Sequence, residues 1–426
     1  MIPKAPSAMQ PCTPVHFLAI HPSFRRGRHV FGIEEGASPT LSPIHLDIGS
    51  SIEHDESVSI PGRGRSGDRA HRAQAKRVLV DASLFDYALP PELIAQHPVE
   101  PRDHARLMVV DRARQVLMHY RFDDLPDLLR PGDLLVRNNS RVIPARLTGR
   151  RESTGGAWEA LFLQARPEGS WEVLMKTRGR PRPGESMIAE HPNSPPYRFT
   201  VEAALGDGRW LLQPRSEESP LNLLDRVGQV PLPPYIRKGR EGPGDREQYQ
   251  TVYARAPGSV AAPTAGLHFT DRLFQRLADR GVSVVDVTLH VGIGTFKPIS
   301  TPRVEDYEIH SEHAEVTPEA ADALNRQREG GGRILAVGTT TARILETAAG
   351  PDRRFHPFAG STSIYLTPGH VFQGVDALIT NFHLPRSSLL VLVGAFGGVD
   401  FLLNAYRVAV AEHYRFYSYG DAMLIV

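Results

Sequence analysis

The sequence predicts an α/β domain, a mostly parallel or mixed sheet covered by helices, with a small β-barrel inserted into it. Three observations lead there. After Pro231 apolar strand-like runs alternate with helical periods, as in a sheet packed under helices. Between residues 144 and 232 short alternating runs are cut by Gly-Gly and Pro-Gly turns, the pattern of a small barrel or sandwich. Ahead of that segment Leu107–Val110 and Leu134–Val136 again read as buried strands, so the barrel interrupts one α/β unit.

The elements follow in order. Residues 1–77 are rich in Pro, Gly, Ser, Arg and His without sustained periodicity, and end in a basic run from Arg63 to Arg77. They read as a disordered tail or a mis-chosen start codon, with an RNA-tethering arm as the functional alternative. The α/β domain is expected over 78–143 and 233–426, and the barrel over 144–232. Leu89–Ala95, with proline in its first turn, and Phe122–Leu125 open short helices. Helices are predicted for 271–281, 318–330, 341–349 and 401–413. Strands are predicted for 282–289, 333–337, 376–380 and 389–393. The aromatic stretch 414–424 reads as a docked C-terminal strand.

Composition bounds the function. The 426 residues carry a formal net charge of +1, which argues against a wholesale nucleic-acid coat. Cys12 is the single cysteine, so an internal disulfide and a multi-cysteine metal site are excluded. Apolar runs fall short of the roughly 20 residues of a spanning helix, and the expected location is the cytoplasm. Charge is distributed unevenly. Residues 137–182 hold ten basic residues, Arg137, Arg141, Arg146, Lys176, Arg178 and Arg180 among them, against four acidic ones. Such an excess suits phosphate binding, although a solvated arginine-rich face would look the same.

Several segments are candidates for chemistry. Gly258–Thr270 combines small residues, which let backbone approach a ligand, with Thr264, Gly266, His268 and Thr270; the last also suits a helix N-cap. His290-Val291-Gly292-Ile293-Gly294-Thr295 follows a strand, but Pro298 and Pro302 oppose the helix that a nucleotide-binding fingerprint needs. It therefore reads as a loop at a strand's carboxyl end with His290 aimed at a cleft. Gly338-Thr339-Thr340-Thr341 joins a strand to a helix and suits either an anion or a simple threonine cap. Arg343 and Glu346, one turn apart, read as a surface pair. His310, Glu312, His313 and Glu315 lack the spacing of a helical zinc motif, and alternate spacing sets His310 with Glu312 on one face. Asn381-Phe382-His383 follows a strand, where open α/β sheets place pockets.

Together these segments resemble one family, the S-adenosylmethionine:tRNA ribosyltransferase-isomerases of queuosine biosynthesis. The resemblance runs from about Leu84 to Val426 and rests on ordered motifs. They include Phe85-Asp86-Tyr87, Pro131–Val136, Asn139–Leu147, Pro231–Ile236, Gly258–Thr270, His290–Phe296, Val337–Glu346, Thr380–Pro385 and Tyr414–Ile425. Ser140 stands where the family usually has threonine, and residues 1–77 have no counterpart. The resemblance implies a donor, S-adenosylmethionine, used as co-substrate for its ribosyl group. It implies an acceptor, 7-aminomethyl-7-deazaguanine at the tRNA wobble position, and the products epoxyqueuosine in tRNA, adenine and methionine. No permanently bound cofactor and no metal are expected, and the chain is expected to act as a monomer.

Such a reaction needs a base for the acceptor amine, an acid for departing adenine, and an aromatic or carbonyl-lined site for the sulfonium. His268 or His290 is the expected acid–base residue. Thr339 and Thr340 are expected to bind an anionic group, and Asn381, Phe382 and His383 to line the nucleoside pocket. Thr264, Gly266, Gly292, Gly294, Thr295, His310 and Glu312 complete the expected substrate-contacting set. Arg141 and Arg146 are expected on the RNA approach. The alternatives are an S-adenosylmethionine-dependent RNA methyltransferase, which would yield S-adenosylhomocysteine, and a non-catalytic tRNA-binding protein.

Overall fold

The computed structural model describes residues 79–292, 294 and 298–426. The extension 1–77 and Thr295 lie outside the described residues. The described chain opens with a hairpin of β1 (Arg106–Asp111) and β2 (Val116–Arg121), then α1 (Leu125–Leu128), β3 (Leu134–Asn138) and β4 (Ser140–Val142). Six strands follow: β5 (Arg146–Arg151), β6 (Ala157–Ala165), β7 (Trp171–Thr177), β8 (Ser186–His191), β9 (Ser194–Gly206) and β10 (Arg209–Pro214). They close into a barrel in the order β10-β7-β6-β5-β8-β9. Alternation along the strands turns Leu147, Trp158, Trp171, Val173, Phe199 and Leu212 into its interior, and Leu223, Leu224 and Val227 of α2 (Pro220–Val227) join that core.

The chain returns through α3 (Asp245–Gln248) and β11 (Ala256–Ser259), which pairs in parallel with β4. Then come α4 (Asp271–Asp279), β12 (Ser283–Leu289), β13 (Glu312–Val316), α5 (Pro318–Glu329), β14 (Ile334–Val337), α6 (Thr339–Ala348) and β15 (Phe358–Thr362). Last are β16 (Ala377–Asn381), α7 (Ser388–Gly397), α8 (Val399–Ala411) and β17 (Ala422–Ile425). One nine-stranded sheet results, in the order β15-β13-β12-β3-β14-β16-β17-β1-β2. Its middle strands β12, β3, β14 and β16 are mutually parallel, and the flanks carry the antiparallel pairs.

Burial on both faces explains why these strands are apolar throughout. Leu134, Val136, Ile334, Ala336, Leu378 and Met423 face a core covered by α5 to α8. Their neighbours Leu135, Leu335, Val337, Ile379 and Leu424 face a second core with Leu273 and Leu277 of α4 and Leu125 of α1. Thr270 caps α4 by accepting from the Leu273 amide at 3.1 Å, a bond of the kind worth about 1 kcal/mol.

Two elements differ from expectation. Residues 389–393, predicted as a strand, lie in α7. The segment is apolar all round and buried on most sides, so its pattern fits a core strand and a core helix equally; Ser387, accepting from the Leu390 amide, starts the helix. Of the stretch 414–424, only Ala422 to Leu424 is strand, and Tyr414 to Asp421 form a loop.

Candidate active site

The four parallel strands end on one edge of the sheet, the edge where open α/β sheets bind ligands. β3 delivers Asn138 and Ser140 there, β12 His290, β14 Thr339 and Thr340, and β16 Asn381 and His383. The turn Thr264–His268 packs against β16, and the loop Tyr414–Asp421 enters at the same edge because Asn381 pairs with Ala422.

Asn138 stands between the ends of β12 and β14. Its Nδ2 donates to the Leu289 carbonyl at 3.0 Å and to Thr340 Oγ1 at 3.3 Å, while its Oδ1 accepts from the Leu289 and Ser140 amides. Ser259 Oγ donates to Ser140 Oγ at 2.9 Å and accepts from the Val291 amide. The backbone on both sides of His290 is thereby pinned. The His290 ring lies against Gly258: a Cβ there would sit 2.8 Å from His290 Nδ1, so this position requires glycine. Nδ1 itself is buried without a hydrogen-bond partner. Partial burial, then the parallel His313 ring, lower the His290 pKa, and Glu315 opposes them.

His268 is held differently. Asn381 Nδ2 donates to His268 Nε2 at 3.1 Å and to the Tyr417 carbonyl at 3.2 Å, and Asn381 Oδ1 accepts from Thr264 Oγ1 at 2.9 Å. Reversing the amide would set its oxygen against a carbonyl, so Nε2 is the accepting nitrogen. The ring packs on Phe122 and is 4 % exposed. Burial, with Arg102 and Arg415 nearby, lowers its pKa to about 3 and keeps it neutral.

A pocket opens beside this group, lined by Tyr235, Thr264, Asn381, His383, Ser387, Tyr417 and Ser418. The Tyr235 and Tyr417 rings lie 4.5 Å apart at 33°, and the Tyr235 and Ser418 hydroxyls are bonded at 2.8 Å. Tyr417 has the left-handed conformation (φ 71°) and donates its amide to the Phe382 carbonyl. His383 bonds Thr380 Oγ1 through Nε2 at 2.7 Å, and its main chain is held by Tyr87 and Tyr406; burial lowers its pKa to about 3. The Phe382 ring is fully buried among Tyr406, Tyr414 and Phe416, so it supports the pocket wall from the core.

A second cavity shares Leu389 with the first and is lined by Gly294, His310, Glu312, Arg343, Tyr365 and Ser388 among others. Glu312 accepts from the Gly292 amide at 2.8 Å and from Arg343 Nη1. The expected Arg343–Glu346 surface pair is corrected here. Both residues are buried; Arg343 pairs with Glu312, and Glu346 accepts from the Gln373 and Gly374 amides and bonds His370. The two side chains leave α6 toward different partners despite being one turn apart. Gly294 fits closely against His310, where a Cβ would come within 2.1 Å of the ring.

Thr339 and Thr340 begin α6, but neither caps it: the N-cap is Gly338 (φ 92°), with no side-chain cap. Gly266 points away from the pockets; a Cβ would meet Tyr253 Oη at 2.0 Å.

The arginines expected to bind RNA divide. Arg137 chelates Asp286 and lies over the Tyr253 and Phe274 rings, and Arg146 bonds Glu159 and the Gly239 carbonyl. Their donors are committed inside the protein. Arg141 is exposed and lines a groove with Arg246 and Arg255 between β4 and the segments around α2 and α3. Lys176, Arg178 and Arg180 are exposed on the barrel without an ion-pair partner among the described residues. Asn138, Tyr235, Tyr417 and Arg343 were not singled out from sequence as site residues. The density of tyrosine in 414–419 was the signal for Tyr417; Asn138 gave none.

The family described as Queuosine biosynthesis protein matches residues 82–425. S-adenosylmethionine:tRNA ribosyltransferase-isomerase of Symbiobacterium thermophilum is 53% identical over 81% of this chain and 99% of its own. That of Geobacter sulfurreducens is 50% identical over 80% and 98%. A solved S-adenosylmethionine tRNA ribosyltransferase from Thermotoga maritima is 38% identical, over 81% of this chain and 100% of that one, with a TM-score of 0.46. On the match of residues 82–425 and on identities near one half over nearly the full length of these relatives, the chain belongs to the queuosine biosynthesis protein family.

Proposed function

We propose that the chain is a transferase–isomerase that moves the ribosyl group of S-adenosylmethionine onto 7-aminomethyl-7-deazaguanine at the wobble position of a tRNA. It gives epoxyqueuosine in the tRNA, adenine and methionine, and acts in the cytoplasm as a monomer. The observation that supports this reading is that β12, β14 and β16 carry His290, Thr340 and Asn381 to one sheet edge, where Thr264 and Asn381 line a tyrosine-walled pocket and Asn381 bonds His268. Relatives that bear the activity in their name match over almost their whole length.

The parts divide as follows. His290, whose pKa partial burial lowers, takes the proton from the acceptor amine or from the carbon beside the sulfonium. His268, kept neutral by burial and held in one tautomer by Asn381, orients. The Tyr235–Tyr417 pair offers π-faces to a sulfonium nucleoside. The start of α6 presents free amides to an anionic group. Arg141, Lys176, Arg178 and Arg180 receive the tRNA backbone, and an anticodon base reaches the pocket without leaving a duplex.

The test is incubation with S-adenosylmethionine and precursor-bearing tRNA. Free adenine and methionine are expected. S-adenosylhomocysteine would identify a methyltransferase, and tRNA binding without donor breakdown would identify a binding protein.

A further inference from the structure

Resting on that reading of the donor, we propose that Arg343 is the residue that binds the carboxylate of its methionyl tail. Three observations converge. First, Arg343 is 5 % exposed and its Nη2 has no hydrogen-bond partner among the described residues, while Nη1 is taken by Glu312 and Nε by the Ile364 carbonyl at 3.3 Å. A buried guanidinium nitrogen left open is costly unless a ligand completes it. Second, Arg343 lines a cavity whose wall is aliphatic at Ile309, Ile364, Leu366 and Leu392 and polar at His310, Glu312, Tyr365 and Ser388, a lining suited to a short chain that ends in a polar charged group. Third, this cavity and the tyrosine-walled pocket share Leu389. The two cavities are thus neighbours at Leu389, and in the proposed pose the nucleoside of the donor lies beside Tyr235 and Tyr417 with its tail toward Arg343.

The start of α6 is the competing anion site. There Thr340 Oγ1 accepts from Asn138 and keeps its proton to donate, but the donors are neutral, whereas Arg343 Nη2 is a cationic donor without a partner among the described residues. A guanidinium also meets a carboxylate through charge-assisted bonds, stronger than those of neutral donors. Glu312 positions the fork: one carboxylate oxygen holds Arg343 and the other the Gly292 amide, so the arginine and the loop after β12 move together.

Equilibrium binding of S-adenosylmethionine and of decarboxylated S-adenosylmethionine to the full chain, read by calorimetry, tests the assignment without turnover. The intact protein is expected to prefer the carboxylate-bearing ligand by about ten- to a hundredfold. Arg343→Met is expected to lose most of that preference while binding the decarboxylated ligand nearly as before. If Arg343→Met does not fold, Arg343→Lys keeps a charge for Glu312 and withdraws the fork, and the preference is expected to fall. A folded variant with unchanged preference overturns the proposal, as does an intact protein that binds both ligands equally. Adenine release by the intact protein is scored separately, so the activity can stand while this assignment fails.

Discussion

Asn381 Nδ2 lies 3.1 Å from His268 Nε2, and this bond sets the tautomer of an imidazole that burial keeps neutral. The amide is itself fixed by Thr264 and the Tyr417 carbonyl, so three segments distant in sequence agree on one ring orientation. Replacing Asn381 by aspartate puts a carboxylate where a donor stood, which favours the protonated ring. The His268 pKa is expected to rise from about 3, as read by NMR titration, and single-turnover adenine release is expected to fall. An unmoved titration would show that the amide does not govern the ring.

His290 is expected to matter more for rate than for binding. His290→Ala should lower single-turnover adenine release by roughly 10²–10⁴, the range of general base catalysis, with tRNA affinity retained. Full rates in both His290→Ala and His268→Ala would sink the assignment of either histidine.

Burial of His268 and His383 makes stability depend on pH in a stated direction. Each ring has a folded pKa of about 3, below an unfolded value near 6.5. Above pH 6.5 both states are neutral and the effect vanishes. Below it the unfolded chain takes up protons that the native rings refuse, so stability falls as pH falls. Each ring contributes about 1.4 kcal/mol per pH unit in that window. Urea unfolding at pH 7, 6 and 5 measures the slope, and His383→Gln should lessen it.

Two glycines leave no room for a methyl group. At Gly266 the added Cβ would lie 2.0 Å from Tyr253 Oη and 2.8 Å from Thr251 Cγ2, both in buried residues. Gly266→Ala is expected to destabilise by about 1–3 kcal/mol, read as a lowered urea midpoint. At Gly294 the added Cβ would lie 2.1 Å from His310 Cδ2 and 2.8 Å from His310 Cβ, so turning the ring alone makes no room and the backbone must shift. Gly294→Ala is expected to displace this segment and weaken donor binding, read by calorimetry.

The division among the arginines predicts two phenotypes. Charge reversal of Lys176, Arg178 and Arg180 together should weaken tRNA binding and flatten the dependence of log affinity on log salt by about two to three. Arg137→Ala should instead destabilise the fold, because its guanidinium bridges Asp286 and two aromatic rings. Filter binding across salt and urea unfolding distinguish them.

The sheet was legible where a segment's own pattern settles its state. The short apolar run Leu134–Val136 after the Pro131-Gly132 turn and the turn signals between barrel strands needed no distant partner. Residues 389–393 failed because a segment wrapped in apolar neighbours carries no period to read. The site was legible at Thr264, His268, Asn381 and His383, polar groups beside small residues at strand ends. It was not legible at Arg137, whose partner Asp286 is 149 residues away, or at Arg343, whose partner Glu312 is 31 residues away. Local charge counts basic groups; it does not say which of them are already spoken for.

The place of β17 has a consequence for biosynthesis. This strand lies between β16 and β1, so the first hairpin reaches the middle of the sheet only through residues 422–425. On the ribosome, β1 and β2 must wait unpaired on that side until more than three hundred further residues have emerged. Nascent chains halted before residue 422 should therefore expose the edges of β1 and β16 and draw chaperones, whatever the state of their barrel.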